Sequence, residues 1–161
     1  MGRMRLDPLT RAVRSCAAPP AACVLHHISR TSRAVVSAYS EAVKPSGLTG
    51  QQFNVLMSLA QAGPLTVNRL ARLVGMDPTT VPRALTPLRR RRLVAVRASA
   101  DRRERIVVVT PAGRRRLAAA VPKWDALQRR VVGAIGVREW QALMADLRAL
   151  RGALATNAEA R

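Results

Sequence analysis

The chain has 161 residues, 48% of them apolar, which is enough for one domain with a single core and excludes a disordered chain. Lys plus Arg number 28 against 9 Asp plus Glu, giving +19, and every cation except Lys44 and Lys123 is arginine. Such a surface fits a polyanion, nucleic acid first and an acidic membrane or protein second, and argues against a free enzyme of neutral metabolites.

No apolar stretch approaches the roughly 18 residues of a membrane span. Two cysteines do not make a secreted disulfide scaffold. Arg3, Arg5, Arg11 and Arg14 precede an apolar run from Cys16 to Cys23, as in a signal peptide. That run holds two prolines, lacks bulky residues and leads into His26-His27, so it makes a poor signal. Pro20-Ala-Ala-Cys23 touches a lipoprotein cleavage pattern without the leucine-rich run that goes before one. Residues 1–20 are expected to be a flexible basic extension, and the protein is expected in the cytoplasm.

From Cys23 to about Val43, the residues Val24, Ile28, Val35, Tyr39 and Ala42 follow one helical stripe, ended by Pro45-Ser46-Gly47. Thr49 opens a capping box with Gln52, and Phe53, Leu56, Met57 and Ala60 follow at i, i+3, i+4, i+7 until Gly63-Pro64. Val67, Leu70, Ala71 and Val74 predict a short helix stopped by Gly75. Asp77 is expected to cap the next helix, with Pro78 in its first position. Val81, Leu85 and Leu88 lie on one side of it; Thr79, Arg83, Thr86 and Arg90 lie on the other. Leu93–Arg97 and Ile106–Thr110 are β-branched runs around a charged tip, predicting a hairpin. Thr110-Pro111 restarts a helix through Leu117, Val121, Trp124 and Val131, with a kink expected at Pro122. Gly133 and Gly136 separate it from a last helix, where Trp140, Leu143, Met144, Leu147, Leu150 and Leu154 form a near-heptad seam.

A short helix, a tight turn and a second helix with a basic polar face predict a helix-turn-helix, and the hairpin after it predicts the winged form. Residues 66–116 hold 14 arginines against Asp77, Asp101 and Glu104, or +11, whereas residues 1–65 carry +5 and 117–161 carry +3. The excess charge therefore sits on the motif. A helix fits a major groove about 12 Å wide, where arginine pairs with guanine. Arg102, Arg103 and Arg105 at the hairpin tip suit a narrow, more negative minor groove.

Over about residues 23–154 the chain resembles the MarR family of bacterial transcription regulators. The residues that carry the resemblance are Leu48-Thr-Gly-Gln-Gln-Phe-Asn-Val-Leu56, Leu65-Thr-Val-Asn-Arg-Leu-Ala71, Met76-Asp-Pro-Thr-Thr-Val-Pro-Arg-Ala-Leu85, Pro87-Leu-Arg-Arg-Arg-Arg-Leu-Val94, Asp101-Arg-Arg-Glu-Arg105 and Val109-Thr-Pro-Ala-Gly-Arg114. It implies a mainly α fold: a winged helix-turn-helix lobe over 48–115, one β-hairpin wing, and added dimerisation helices at 21–44 and 116–155, all in one domain over 21–161. It also implies a homodimer on a palindromic operator, usually as a repressor. Carried onto this chain, Thr79, Thr80, Arg83, Thr86 and Arg90 would meet bases and phosphates, and Asn68 and Arg69 would meet the backbone. Asp101 would orient Arg103 over the minor groove, beside Arg102 and Arg105.

Pro87 looks like a proline the family tolerates, but two positions depart from its pattern. Pro82 stands where Thr or Ser is usual, removing a hydroxyl and an N–H near the reading end, so that base preference differs or the helix bends. Arg92 stands where Gly is usual. A left-handed helix end is strained for Arg, so either the helix exit differs or Arg92 adds a phosphate contact.

Effectors of the family are commonly small aromatic acids, phenols or lipophilic drugs, and some members use a reactive cysteine. The candidate ligand residues here are His26, Arg30 and Arg33, a stripe that could clamp a carboxylate or simply face water, with Phe53 and Trp124 as pocket walls or core. Cys23, with His27 one turn on, is the candidate redox residue, or else a small core residue. No enzyme, cofactor or metal is expected. Gly-rich phosphate loops and paired carboxylates are lacking, and adjacent His26 and His27 point about 100° apart on a helix. The alternative function is a sequence-tolerant nucleoid or RNA-binding structural protein, for which charge alone would suffice.

Overall fold

A computed structural model of the chain describes residues 23–98 and 104–159. The elements are α1 (Val24–Val43), a 3-10 turn (Lys44–Ser46), α2 (Gly50–Ala62), β1 (Leu65–Thr66), α3 (Val67–Val74), α4 (Val81–Arg90), β2 (Val94–Ala98), β3 (Arg105–Val109), α5 (Pro111–Ile135) and α6 (Val137–Glu159). The chain divides into two compact units, Met1–Ala38 and Tyr39–Arg161. In the first, α1 forms as expected, but its apolar Val24, Leu25, Ile28, Val35 and Val36 are all exposed.

The second unit holds the core. Phe53, Val55, Leu56 and Leu59 of α2 pack with Leu70 and Ala71 of α3, Val81, Leu85 and Leu88 of α4, and Val94, Val107 and Val109 of the sheet. Leu117 and Ala120 of α5 join them. Ala60, expected on the α2 stripe, is exposed. The predicted capping box is present: Gln52 N donates to Thr49 Oγ1 at 3.2 Å, and Thr49 N donates to Gln52 Oε1 at 3.2 Å.

The sheet is antiparallel in the order β1-β3-β2. Strand β1 was not foreseen, because two residues, Leu65 and Thr66 paired with Val107 and Ile106, carry no readable alternation. The wing strands are the predicted pair with shifted ends. Leu93 is spent on closing α4 and Thr110 on capping α5, where its Oγ1 accepts from Gly113 N at 3.0 Å. Helix α5 runs through Pro122 and past Gly133, so Gly136 (φ 100°) alone makes the break before α6.

The start of α4 corrects the sequence reading. The helix begins at Val81, with Thr80 before it, three residues later than Pro78. The reason is Pro82. It has no N–H to give the carbonyl of Pro78, and its ring would press on that carbonyl, but in the first turn neither matters.

The exit of α4 keeps the left-handed residue with an arginine in it: Arg92 has φ 54°. Arg92 N donates to Arg89 O at 2.9 Å and Leu93 N to Leu88 O at 2.8 Å, a Schellman closure with Leu93 folded onto buried Leu88. Replacing Arg92 by Gly should stabilise the protein by about 1 kcal/mol, since the left-handed penalty of roughly 1–2 kcal/mol is offset in part by the freer unfolded chain. A urea midpoint that stays or falls would contradict the strain. Gly113→Ala should act the other way and more strongly, because a Cβ there would overlap the carbonyl oxygen of Leu93.

Candidate nucleic-acid interface

Helix α3 is closed at both ends. Thr66 Oγ1 accepts from Arg69 N at 3.3 Å, and Gly75 turns left-handed (φ 68°) so that Met76 N reaches Ala71 O at 2.9 Å. The turn then enters α4 through Asp77, whose Oδ1 accepts from Thr79 N at 2.8 Å and Thr79 Oγ1 at 2.5 Å. These bonds, the hydroxyl first and the backbone second, hold the Asp77 carboxyl below the usual aspartate range. Asp77 thus caps the turn rather than the helix.

On α4, Val81, Leu85 and Leu88 are buried while Arg83, Thr86, Arg89 and Arg90 are exposed, as are Thr79 and Thr80 before it. Arg83, Thr86 and Arg90 thus share the exposed side as the spacing predicted, whereas Thr79 belongs to the turn before the helix. Thr79 gives its proton to Asp77, and Thr86 gives its own to Pro82 O at 3.0 Å. Both hydroxyls so placed offer lone pairs outward, which suits base amino groups better than phosphates. Arg89 and Arg90 lie in the last turn, where the helix dipole favours cations.

Beside this face, exposed Asn68 and Arg69 line an open groove of about 370 Å³ with Thr66, Arg72 and Glu104. A smaller hollow sharing Thr66, Asn68 and Glu104 brings in Arg105 at the base of the wing. The groove thus brings α3 and the wing base together. Sequence reading missed Arg72, although its i, i+3 spacing from Arg69 signals it, and Glu104, which nothing marked. Asp101, Arg102 and Arg103 lie outside the described residues, as does the 1–20 extension.

The effector candidates divide between the two units. His26, Arg30 and Arg33 are exposed on α1 in the first unit. In the second, Phe53 is buried and stacks on half-buried Trp124, with ring centroids 5.9 Å apart. Cys23 is exposed one residue before α1, so it is not a core residue, and its carbonyl accepts from His27 N at 3.1 Å. Among the described residues no helix is long and apolar enough to cross a membrane, and no three His, Cys, Asp or Glu group as metal ligands.

The sequence model of the MarR family matches residues 46–104. The solved structure of the Mycobacterium tuberculosis transcriptional regulator MosR in complex with DNA is 34% identical, with a TM-score of 0.76 over 83% of this chain and 97% of that one. The chain belongs to the MarR family. A structure of Bordetella bronchiseptica BpsR, concerned with regulation of its DNA binding by 6-hydroxynicotinic acid, is 27% identical with a TM-score of 0.74, covering 83% of this chain and 96% of that. The HTH-type transcriptional regulator YwoH of Bacillus subtilis (strain 168), an uncharacterized protein, is 30% identical over 87 residues; they make up 54% of this chain, which so spans 64% of that relative's length. These MarR-family relatives are transcription regulators rather than enzymes, and none supports the structural nucleoid alternative.

The Asp77 turn gives a pH test. Its depressed pKa means that the carboxylate steadies the entry to α4 above the ordinary aspartate range, and that this support is lost as pH falls through the lowered value. The Asp77 side-chain carbon should titrate below ordinary aspartates by NMR, and Thr79→Val should bring it back towards them. An ordinary midpoint in the unmodified protein would contradict the turn.

Proposed function

We propose that this MarR-family chain binds a palindromic duplex operator as a homodimer and represses transcription in the cytoplasm, by binding alone and without a cofactor. The observation that carries this reading is α4, with a buried Val81-Leu85-Leu88 side and an exposed side of Arg83, Thr86 and Arg90, led into by the exposed Thr79 and Thr80 of the turn before it. That face would enter the major groove, with Asn68 and Arg69 on the backbone and Arg102, Arg103 and Arg105 towards the minor groove, Arg103 oriented by Asp101. The DNA complex of MosR supports the same partner here.

Two features favour a second copy. None of the described side chains of α6 is buried, and Leu143 and Leu154 of its seam are 39% and 60% exposed. Val24, Leu25, Ile28, Val35 and Val36 of α1 are likewise exposed. Helices within 21–44 and 116–155 would pair across a two-fold axis, while 48–115 forms the DNA-binding lobe.

Release would follow a small aromatic or phenolic effector. BpsR and its aromatic acid support that class. In the first unit His26, Arg30 and Arg33 would take a carboxylate; in the second, Phe53 and Trp124 are the candidates for an apolar wall. Oxidation of exposed Cys23 is the second trigger, favoured by its access to solvent.

Fluorescence anisotropy on the upstream DNA and on a scrambled duplex, at two salt concentrations, tests the reading. Tight binding to the first alone, at two chains per duplex, is the expected result. Equal, steeply salt-dependent binding to both would overturn site specificity. Arg83→Ala should cost about 1–3 kcal/mol of specific binding, and Arg90→Ala should lower the salt slope by about one phosphate. A chain ending at Arg138 should be monomeric or insoluble by size-exclusion chromatography, and a soluble dimer would refute the seam.

A further inference from the structure

Four consecutive arginines, Arg89 to Arg92, end α4, and charge alone would assign all four to phosphates. The geometry divides them. Arg91 Nη1 donates to the carbonyl oxygen of Gly47 at 2.7 Å and to Gln52 Oε1 at 3.5 Å. Arg116, in the second turn of α5, donates from Nη1 to Ser46 O at 3.0 Å. The two carbonyls belong to the turn between α1 and α2, and Gln52 to the first turn of α2. The two guanidinium groups converge there: a Cβ on Gly47 would lie 3.4 Å from Arg91 Nη2 and 3.6 Å from Arg116 Nη1.

The circuit closes at the other end of the same residues. Thr110 Oγ1, at the N-cap of α5, donates to Arg92 O at 2.7 Å. The end of α4, the start of α5 and the α1–α2 turn therefore hold one another. The cause is electrostatic. Carbonyls at the end of a 3-10 turn lack helical partners and carry the negative end of its dipole, so cationic donors satisfy them well. The acceptors around the two guanidiniums are neutral, Ser46 O, Gly47 O and Gln52 Oε1, with no carboxylate among them.

We propose that Arg91 and Arg116 are positioning residues for operator binding: they fix the C-terminal end of α4 against the α1–α2 turn and α5, and so set the separation of the two recognition helices, while neither guanidinium neutralises a phosphate. The inference rests on the operator reading above.

The test uses the full chain and its Arg90→Ala, Arg91→Ala, Arg91→Gln and Arg116→Ala variants, titrated across salt. The duplexes are the operator, a single half-site, and operators with the half-sites moved closer or further apart by a few base pairs. If the unmodified protein does not distinguish operator from scrambled DNA, the operator reading fails and the inference falls with it. If it does, Arg91→Ala and Arg116→Ala should lose about tenfold or more on the operator, as expected for a lost bond to a charged donor. They should hold half-site affinity, accept altered spacings and keep the unmodified salt slope. Arg90→Ala instead should lower that slope by about 0.9. Arg91→Gln keeps an amide donor without the charge and replaces Arg91→Ala if circular dichroism shows that variant unfolded. A slope reduced in Arg91 or Arg116 variants, an unchanged spacing preference, or equal losses on half-site and operator would each overturn the proposal.

Discussion

The left-handed residue at Arg92 sets the direction of the chain for everything after α4. With φ at 54°, Leu93 N turns back to Leu88 O, and Leu93 is buried beside it. The chain then leaves as β2, which positions β3, which in turn accepts β1. Thr110 reaches back across the closure to the carbonyls of Arg92 and Leu93 while capping α5. The magnitudes explain why an arginine is tolerated. A left-handed L-residue costs roughly 1–2 kcal/mol, whereas burying one leucine contributes about 1.5–3 kcal/mol and each backbone bond about 1 kcal/mol more. Closure wins even without glycine, and the recognition face and the wing are both built from it.

Those elements were legible where one local signal and the core pointed the same way. Thr49 with Gln52, Thr110 with Pro111, and Gly75 all act as their chemistry predicts, because caps are decided within four residues. The polar face of α4 was legible because burying Val81, Leu85 and Leu88 fixes the rotation of the helix and leaves Arg83, Thr86 and Arg90 outside. The helix start was misread because Asp77-Pro78 is a good cap considered alone. Pro82, four residues on, removes the N–H that a helix from Pro78 would need. Strand β1 and the groove at Glu104 were invisible for another reason. They exist only once residues near 65 and 105 meet, a pairing that no local pattern encodes.

The arginine run shows the limit of charge as a signal. From sequence, Arg89 to Arg92 are equivalent. In the structure they differ in at least three ways: exposed cations in a last turn, a donor to Gly47 O, and a backbone held left-handed. What separates them is Gly47, which ends the 3-10 turn at Lys44–Ser46 over 40 residues away in sequence and whose carbonyl accepts from Arg91. Net charge counts the four alike, whereas their positions and partners differ.

The distribution of charge also bears on how two chains can share one duplex. Residues 66–116 carry +11, while 1–65 carry +5 and 117–161 carry +3. Bringing two such proteins together costs least where the like charge is thinnest, and the uncovered apolar residues of α1 and α6 lie in those two outer segments. Among the described residues of these segments, Glu41 pairs with Lys44 at 3.2 Å, and Asp125 pairs with Arg129 one turn on. The middle holds 14 arginines against three acids, an excess that phosphates would relieve. The partition of charge along the chain thus agrees with the proposed homodimer, in which the ends would associate and the middle would meet DNA.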